Sequence, residues 1–236
     1  LEAVRRVNTV KAVVNITTDK CYENQGWVRP YRETDRLGGH DPYSGSKACA
    51  EIVAAAYRRS FFSETGVQLA SVRSGNVIGG GDWAAHRLIP DFFRALDSGI
   101  TLRIRSPHAI RPWQHVLEPL SGYLLLAERL VNEGAYFAED WNFGPEQVDA
   151  KPVSWIADYL KEKFPHIRWE LESEFQPHEE GILKLDITKA KAKLRWAPRW
   201  SMDNALDKTI LWHQAWKDKQ SMAEVSICQI EDYEGI

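Results

Sequence analysis

Two short stretches of the sequence carry residue types that could move protons. Tyr43 and Lys47 stand four positions apart in "DPYSGSKACAE" (41–51), and residues 17–20 read "TTDK". A tyrosine with a pKa of about 10 is a poor base at neutral pH, and lowering that pKa by three units requires about 4 kcal/mol of preferential phenolate stabilisation. A lysine one helical turn away supplies part of it. The pair alone is weak evidence, but a threonine at the end of a preceding strand favours a working acid and base.

The neighbouring sequence predicts the elements that position these side chains. "KAVVNIT" (11–17) is a short apolar run, typical of a parallel strand buried on both faces. Its polar successors therefore lie at a strand's carboxyl end, where open α/β sheets form their ligand crevices. An alanine-rich helix is predicted from Pro42 to about Phe62, and "VQLASVRSGNV" (67–77) predicts the next buried strand.

We therefore predict an α/β fold: the C-terminal part of a doubly wound parallel Rossmann-type sheet plus a smaller α+β substrate lobe. A helix is predicted in "EPLSGYLLLAERLVNEG" (118–134), and a helix, a strand and two terminal helices are predicted after about Lys151. The sheet domain is predicted to contain residues 1–80 and returning elements at about 112–145. The substrate lobe is predicted to contain residues 81–111 and 146–217. Residues 218–236 are predicted to form a loosely held polar tail.

Composition excludes several classes of partner. The chain has 236 residues, 44% of them hydrophobic, with 30 Lys and Arg against 33 Asp and Glu. This near balance, without a basic run, gives no reason to expect nucleic acid or an anionic membrane as partner. Apolar runs are broken by charge before the roughly 20 residues that a membrane span needs, and no signal peptide is visible. Three widely spaced cysteines without CxxC predict a reduced, cytoplasmic chain and no metal site.

Taken together, the stretches resemble the extended short-chain dehydrogenase/reductase superfamily. A strand ending in "TTDK" is followed by "YSGSK" and then by "RSGNVIGGGDW". Over about residues 1–217 the chain is similar to the CDP-glucose 4,6-dehydratases of this superfamily. That similarity implies NAD as cofactor and CDP-glucose as substrate. The sugar would be oxidised at C4, lose water across C5 and C6, and take the hydride back at C6, giving CDP-4-keto-6-deoxyglucose for deoxysugar and O-antigen biosynthesis.

The resemblance also implies catalytic roles. Tyr43 takes the proton of the sugar 4-hydroxyl, Lys47 holds the nicotinamide ribose and tunes Tyr43, and Thr18 hydrogen-bonds the same hydroxyl. Asp19 is the acid for the departing 6-hydroxyl, which requires a raised pKa. Lys20 stands where related dTDP-glucose dehydratases carry the glutamate that removes the C5 proton. Since a neutral lysine near pH 7 costs about 4 kcal/mol, its role stays open between base, slightly favoured, and cationic stabiliser of the enolate.

Further residues are implied for substrate binding. Asn76, Arg87 and Arg111 are expected near the phosphates. Asn142 and His178 occupy positions that the family uses near the nucleotide. The glycine triplet of "GGGDW" (79–83) lacks the GxGxxG spacing of a phosphate loop, and the resemblance assigns it to the sugar-nucleotide pocket. Arg195 stands where the family usually has glycine, which predicts a left-handed cap conformation.

The first residues, "LEAVRRVNTV", read as the last turns of a helix, which indicates a missing front. In this superfamily the front carries the glycine-rich turn that supports the dinucleotide's pyrophosphate. We therefore expect the full-length parent to be the active enzyme, a homo-oligomeric dimer or tetramer, and this chain alone to be inactive. The alternatives are a fragment or nucleotide-sugar-binding module without turnover, and an epimerase or decarboxylase of the same superfamily, which should lack "TDK".

Overall fold

A computed structural model describes residues 1–7, 9–173 and 181–236. The helices of this part are α1 (Glu2–Arg6), α2 (Pro42–Tyr57), α3 (Ser63–Thr65), α4 (Leu88–Ser98), α5 (Leu117–Glu133), α6 (Val153–Lys163), α7 (Met202–Lys217) and α8 (Met222–Glu234). The strands are β1 (Ala12–Ile16), β2 (Gln68–Ser74), β3 (Val77–Ile78), β4 (Leu102–Ile104), β5 (Ile110–Pro112), β6 (Gln114–His115), β7 (Asp140–Phe143), β8 (Ala150–Pro152) and β9 (Trp169–Leu171).

The principal sheet contains three parallel strands in the order β1, β2, β7. Strand β2 lies in the middle and is buried along almost its whole length, including the polar Ser71 and the charged Arg73. Leu126 and Leu130 of α5 pack in the same core as Val72 of β2 and Trp141 of β7. The predicted parallel α/β sheet with helical crossovers is confirmed.

A second core lies outside this sheet. It joins α4, α6 and α7 through buried side chains such as Phe92, Ile156 and Leu206. Two small sheets accompany it, a parallel pair of β4 with β9 and an antiparallel pair of β5 with β8. These elements correspond to the predicted α+β lobe, and the exact division into domains stays a prediction.

Two local features of the chain bear on the sequence predictions. Helix α2 continues through a π-helical turn over Arg58–Phe62, so the predicted helix from Pro42 to about Phe62 is confirmed. Arg195 has φ 56° at the end of a second π-helical turn, as predicted from the missing glycine.

The C-terminal segment corrects a prediction. Residues 218–236 were predicted to form a loosely held polar tail, but they contain helix α8. Tyr233 is its one buried residue, and its hydroxyl donates a hydrogen bond of 2.8 Å to the buried Glu118 of α5. Polar contacts with α7 also hold the helix, among them a hydrogen bond of 3.1 Å from Trp212 to Ser226 and an ion pair of 2.6 Å between Lys208 and Asp232, so its sequence shows almost no apolar periodicity. Within the described residues, no helix combines the length and apolar character that crossing a bilayer requires.

Candidate active site

A cavity of about 500 Å³ opens at the carboxyl ends of β1 and β2 and is closed on the other side by α4 and β4. Thr17 follows β1 directly, and Ser74 is the last residue of β2. The parallel pairing of these strands brings both ends to one edge, where an open α/β sheet binds its ligands. Seven of the predicted site residues line this cavity: Thr18, Asp19, Lys20, Tyr43, Asn76, Arg87 and Arg111.

Asp19 is the most perturbed acid of the cavity. It is only 3% exposed, and burial raises the pKa of its carboxyl to about 6. A hydrogen bond of 3.0 Å from the Thr18 hydroxyl to Oδ1, and the charges of Lys20 and Arg111, act in the opposite direction. The other oxygen, Oδ2, is buried without a hydrogen-bond partner among the described residues. A carboxyl with this pKa can hold a proton and give it to a ligand near neutral pH.

Tyr43 lies in the first turn of α2, and the cap of that helix sets its direction. Asp41 accepts hydrogen bonds from the Ser44 amide (3.0 Å) and from the Ser44 hydroxyl (2.5 Å), and Pro42 occupies the first turn. Tyr43 is 52% exposed toward the cavity side of the helix. Lys47 follows one turn later, with its ammonium nitrogen 5.7 Å from the Tyr43 ring centre.

The start of α2 is approached closely by the preceding loop. A Cβ atom on Gly39 would lie 2.4 Å from the Ser44 Cβ, so only glycine permits this contact. The loop after β1 therefore returns to the same edge of the sheet that carries Asp19. The spacing of about 25 residues between "TTDK" and Tyr43 is long enough for that return.

The predicted phosphate contacts occupy different environments in the cavity wall. Arg111 is buried on β5, and its Nη1 donates 3.0 Å to the Ile110 carbonyl. Arg87 is exposed just before α4 and pairs with Asp82 at 3.0 Å. Asn76 lies in the turn between β2 and β3, and its backbone oxygen accepts from the Gln114 amide. Both arginines therefore contribute to the lining of one cavity, Arg111 from a buried strand and Arg87 from its exposed rim.

Asn142, one of the two residues predicted near the nucleotide, does not line this cavity. It is fully buried on β7, and its amide nitrogen donates to the backbone oxygens of Tyr31 (3.0 Å) and Asp186 (3.2 Å). Its amide oxygen accepts from the Tyr22 hydroxyl at 2.7 Å. The side chain thus joins β7 to two loops in the interior, and its contact with the nucleotide stays a prediction. His178, the other predicted nucleotide contact, lies outside the described residues.

The glycine triplet serves two purposes. Gly79 and Asp82 line the cavity, as the predicted pocket assignment requires. Gly80 instead packs against Trp212 of α7. A Cβ atom on Gly80 would lie 2.1 Å from two indole carbons, so the contact requires glycine. The triplet is therefore needed in part for a close helix contact, and no phosphate-cradling turn is formed by it.

Two cavity residues escaped the sequence analysis. His86 lines the cavity with φ 63°, a left-handed conformation that a histidine seldom adopts, and Arg105 donates 3.3 Å to its carbonyl oxygen. A strained backbone at one histidine leaves no sequence signal. The exposure of Arg105 does have a sequence signal, because arginines alternate with apolar residues at 102–105. Leu102 and Ile104 are buried, and the two arginines lie on the exposed face. Among the described residues, no group of His, Cys, Asp and Glu is arranged to hold a metal ion.

Comparison with known proteins places this geometry in a family. Residues 1–209 match the family model described as GDP-mannose 4,6 dehydratase. The CDP-glucose 4,6-dehydratase of Salmonella typhimurium is 52% identical over 239 aligned residues, which cover 99% of this chain and 67% of that protein.

Solved structures agree on the fold. The dTDP-glucose 4,6-dehydratase of Bacillus anthracis in complex with NAD has a TM-score of 0.75 at 20% identity, covering 93% of this chain and 66% of that one. The dTDP-glucose 4,6-dehydratase DesIV of Streptomyces venezuelae, with NAD and TYD bound, has a TM-score of 0.71 at 24% identity, covering 89% and 62%. The chain therefore spans about two thirds of the length of the proteins it matches. On the strength of the family model and the 52% identity, the chain belongs to the GDP-mannose 4,6 dehydratase family.

Proposed function

We propose that the protein carrying this chain is an NAD-dependent nucleotide-sugar 4,6-dehydratase that converts CDP-glucose to CDP-4-keto-6-deoxyglucose. The single observation that carries the proposal is Asp19, a buried acid with a pKa of about 6 at the strand edge that also holds Thr18 and faces Tyr43. An epimerase needs no acid to expel a hydroxyl, whereas a dehydratase does. The 52% identity to a CDP-glucose 4,6-dehydratase supports the same substrate.

The chain's residues fit the nicotinamide end of the cofactor. With the described residues, neither the Tyr43 hydroxyl nor the Lys47 ammonium forms a hydrogen bond or an ion pair, so both donors remain available to a ribose. A nicotinamide held by these residues would supply the acceptor for the C4 hydride of the sugar and the source of the hydride for C6. The Lys47 ammonium nitrogen lies 5.7 Å from the centre of the Tyr43 ring, so one ribose can contact both side chains.

The first chemical step needs a base at the sugar 4-hydroxyl. Tyr43 as phenolate takes that proton, while the Thr18 hydroxyl orients the same oxygen. Thr18 is suited to this because its position is tied to its neighbours: Oγ1 donates to Asp19 and accepts from the Lys20 amide at 3.3 Å. The C4 ketone that results makes the C5 hydrogen acidic.

The second step removes the C5 proton and the 6-hydroxyl. Asp19 gives its proton to the departing oxygen, which its raised pKa allows. Lys20 is exposed on the cavity wall beside Asp19 and stands at the position from which the C5 proton is removed or the enolate is stabilised. Arg87 and Arg111 hold the diphosphate, so that the sugar ring lies over the strand edge.

The proposal is tested by incubating the protein, expressed from its complete reading frame, with CDP-glucose and NAD. We expect a 4-keto-6-deoxy sugar, seen by mass spectrometry as the loss of one water and by NMR as a new methyl group. A CDP-hexose of unchanged mass but inverted configuration would point to an epimerase, and an unchanged sugar with bound nucleotide would point to a binding module. Either outcome would overturn the proposed activity.

We propose in addition that the enzyme acts in the cytoplasm as a homo-oligomer and supplies a deoxysugar for O-antigen synthesis. The three cysteines support a reducing compartment, because all are unpaired and Cys21 is completely buried. Light scattering coupled to gel filtration tests the oligomeric state, and a monomer would contradict that part of the proposal.

A further inference from the structure

Helix α2 presents a third functional position that the proposed reaction does not use directly. Tyr43, Lys47 and Glu51 follow one another at four-residue intervals, so they lie on one face of the helix. Tyr43 lines the cavity and Lys47 is half-buried without lining it, whereas Glu51 is only 1% exposed. A carboxyl this deeply buried is costly unless it is paired.

Glu51 is paired with Arg73 of β2, which is also 1% exposed. Arg73 Nε donates 2.9 Å to Glu51 Oε1, and Nη2 donates 2.9 Å to Oε2, a bidentate pair. The Thr17 hydroxyl contacts Glu51 Oε1 as well. Thr17 lines the cavity beside Thr18, so the carboxylate of α2 is joined to the strand end that carries the catalytic threonine and acid.

Arg73 extends the connection to the far side of Asp19. Its Nη1 donates 2.8 Å to the Tyr22 hydroxyl and 3.1 Å to the Glu33 carbonyl. Tyr22 directly follows the short 3-10 helix over Asp19–Cys21. One guanidinium therefore holds α2 and the Asp19 segment against the same strand.

The other side chains that α2 buries are small. Its other buried residues are Ser44, Ala48 and Ala54. Small side chains form shallow ridges, so they set the distance between helix and sheet without opposing a shift along the helix axis. Glu51 is the only long side chain that α2 itself buries, and the next buried one, Phe62, lies in the π-helical turn at the far end from Tyr43.

Stability does not require this pair to be charged. Replacing a buried ion pair by apolar residues of similar volume is often neutral or stabilising, because two charges no longer need to leave water. The geometry points to a different purpose, and we propose that Glu51 and Arg73 are positioning residues that hold the Tyr43 hydroxyl in register with Thr18 and Asp19. This inference rests on the proposed dehydratase activity and adds residues that touch neither sugar nor cofactor.

The test is the apolar double variant Glu51→Leu/Arg73→Met in the protein expressed from its complete reading frame. We expect a melting temperature equal to or above that of the wild type and a Kd for CDP-glucose within threefold. C4 oxidation, followed as nicotinamide absorbance in a single turnover, should be about 100-fold slower, because a displacement of about 1 Å is enough for such a loss. A rate within threefold of the wild type in a folded variant would overturn the proposal.

The matched control is Arg58→Met. Arg58, in the π-helical turn that continues α2, also joins the helix to the sheet, because it pairs with Asp140 at 2.5 Å. Arg73 Nη2 lies 3.5 Å from the other oxygen of the same carboxylate, but Arg58→Met leaves the Glu51–Arg73 pair itself intact. We expect its C4 oxidation rate to stay within twofold of the wild type. An equal loss in both variants would mean that any weakened helix contact slows the reaction, and would refute a specific role of Glu51.

Two further measurements decide the remaining cases. If the double variant does not fold, the test uses Glu51→Gln, which keeps the shape of the side chain and should slow C4 oxidation about 10-fold. An unchanged rate in this variant, or failure of both variants to fold, overturns the inference.

If the wild type does not convert CDP-glucose, the proposed function fails by itself. Amide hydrogen exchange then decides the positioning role. The amides of residues 43–51 should exchange about 10-fold faster in the double variant than in the wild type, and at the wild-type rate in Arg58→Met. Equal exchange in the wild type and both variants would refute the positioning role.

Discussion

Replacing Asp19 by asparagine should make the fold more stable at alkaline pH and stop the proposed reaction after C4 oxidation. Burial raises the pKa of Asp19 from 3.8 to about 6. At 1.36 kcal/mol for each pKa unit, keeping this carboxylate charged inside the fold costs about 3 kcal/mol. The folded protein binds the proton more tightly than the unfolded chain does. Stability is therefore lost as the pH rises from about 4 to about 6, and the loss stays constant above that range.

Asparagine has nearly the same shape and does not titrate. The free energy of unfolding of Asp19→Asn should exceed that of the wild type by about 3 kcal/mol at pH 8 and by only about 0.5 kcal/mol at pH 4. Urea denaturation at four pH values between 4 and 8, with equal m-values, measures this difference. Asp41→Asn is a control of opposite sign, because the hydrogen bonds from Ser44 lower the pKa of Asp41.

The same variant tests the catalytic role. Tyr43 and Thr18 are intact in Asp19→Asn, so nicotinamide absorbance should rise after mixing with CDP-glucose and persist, because the 6-hydroxyl no longer receives its proton. Normal product formation would remove Asp19 from the catalytic residues. A stability difference that does not depend on pH, or a variant that is less stable than the wild type at pH 8, would refute the reasoning from burial.

Three other substitutions test the remaining assignments. Tyr43→Phe should abolish C4 oxidation and leave the Kd for CDP-glucose within a few-fold, since the hydroxyl acts mainly in the transition state; near-normal kcat with a large rise in KM would contradict this. Arg111→Ala should weaken CDP-glucose binding by roughly 1.5 to 3 kcal/mol in calorimetry, the scale of a charge-assisted hydrogen bond, and an unchanged Kd would take Arg111 out of the site. Lys20→Met should still allow nicotinamide reduction but no water loss; disappearance of both signals would show that Lys20 acts before C5 deprotonation.

Most elements around the cavity were predictable because they depend on local patterns. The apolar run before "TTDK" and the alanine-rich stretch after Pro42 correspond to β1 and α2. Parallel crossovers then place the ends of β1 and β2 at one edge. The left-handed Arg195 was predicted for the same reason, because a departure at a single position has a local backbone consequence.

Burial and partners were not predictable in this way. Asn142 is predicted near the nucleotide, but the sheet buries it and three groups distant in sequence form hydrogen bonds with its amide. Helix α8 was missed because the contacts that hold it are tertiary, among them the one between Tyr233 and Glu118 across more than 100 residues of sequence. His86 became a cavity residue only through a backbone conformation that its residue type disfavours.

The sequence by itself determined the parallel α/β scaffold and the chemical types available at the strand edge, because apolar period, helix caps and residue spacing act over a few residues. Only the tertiary structure decided how those groups behave. The pKa of Asp19 depends on the atoms that exclude water from it, and the position of Tyr43 depends on a carboxylate and a guanidinium 22 residues apart in the chain. Desolvation and long-range pairing are properties of the packed molecule, and no local pattern encodes them.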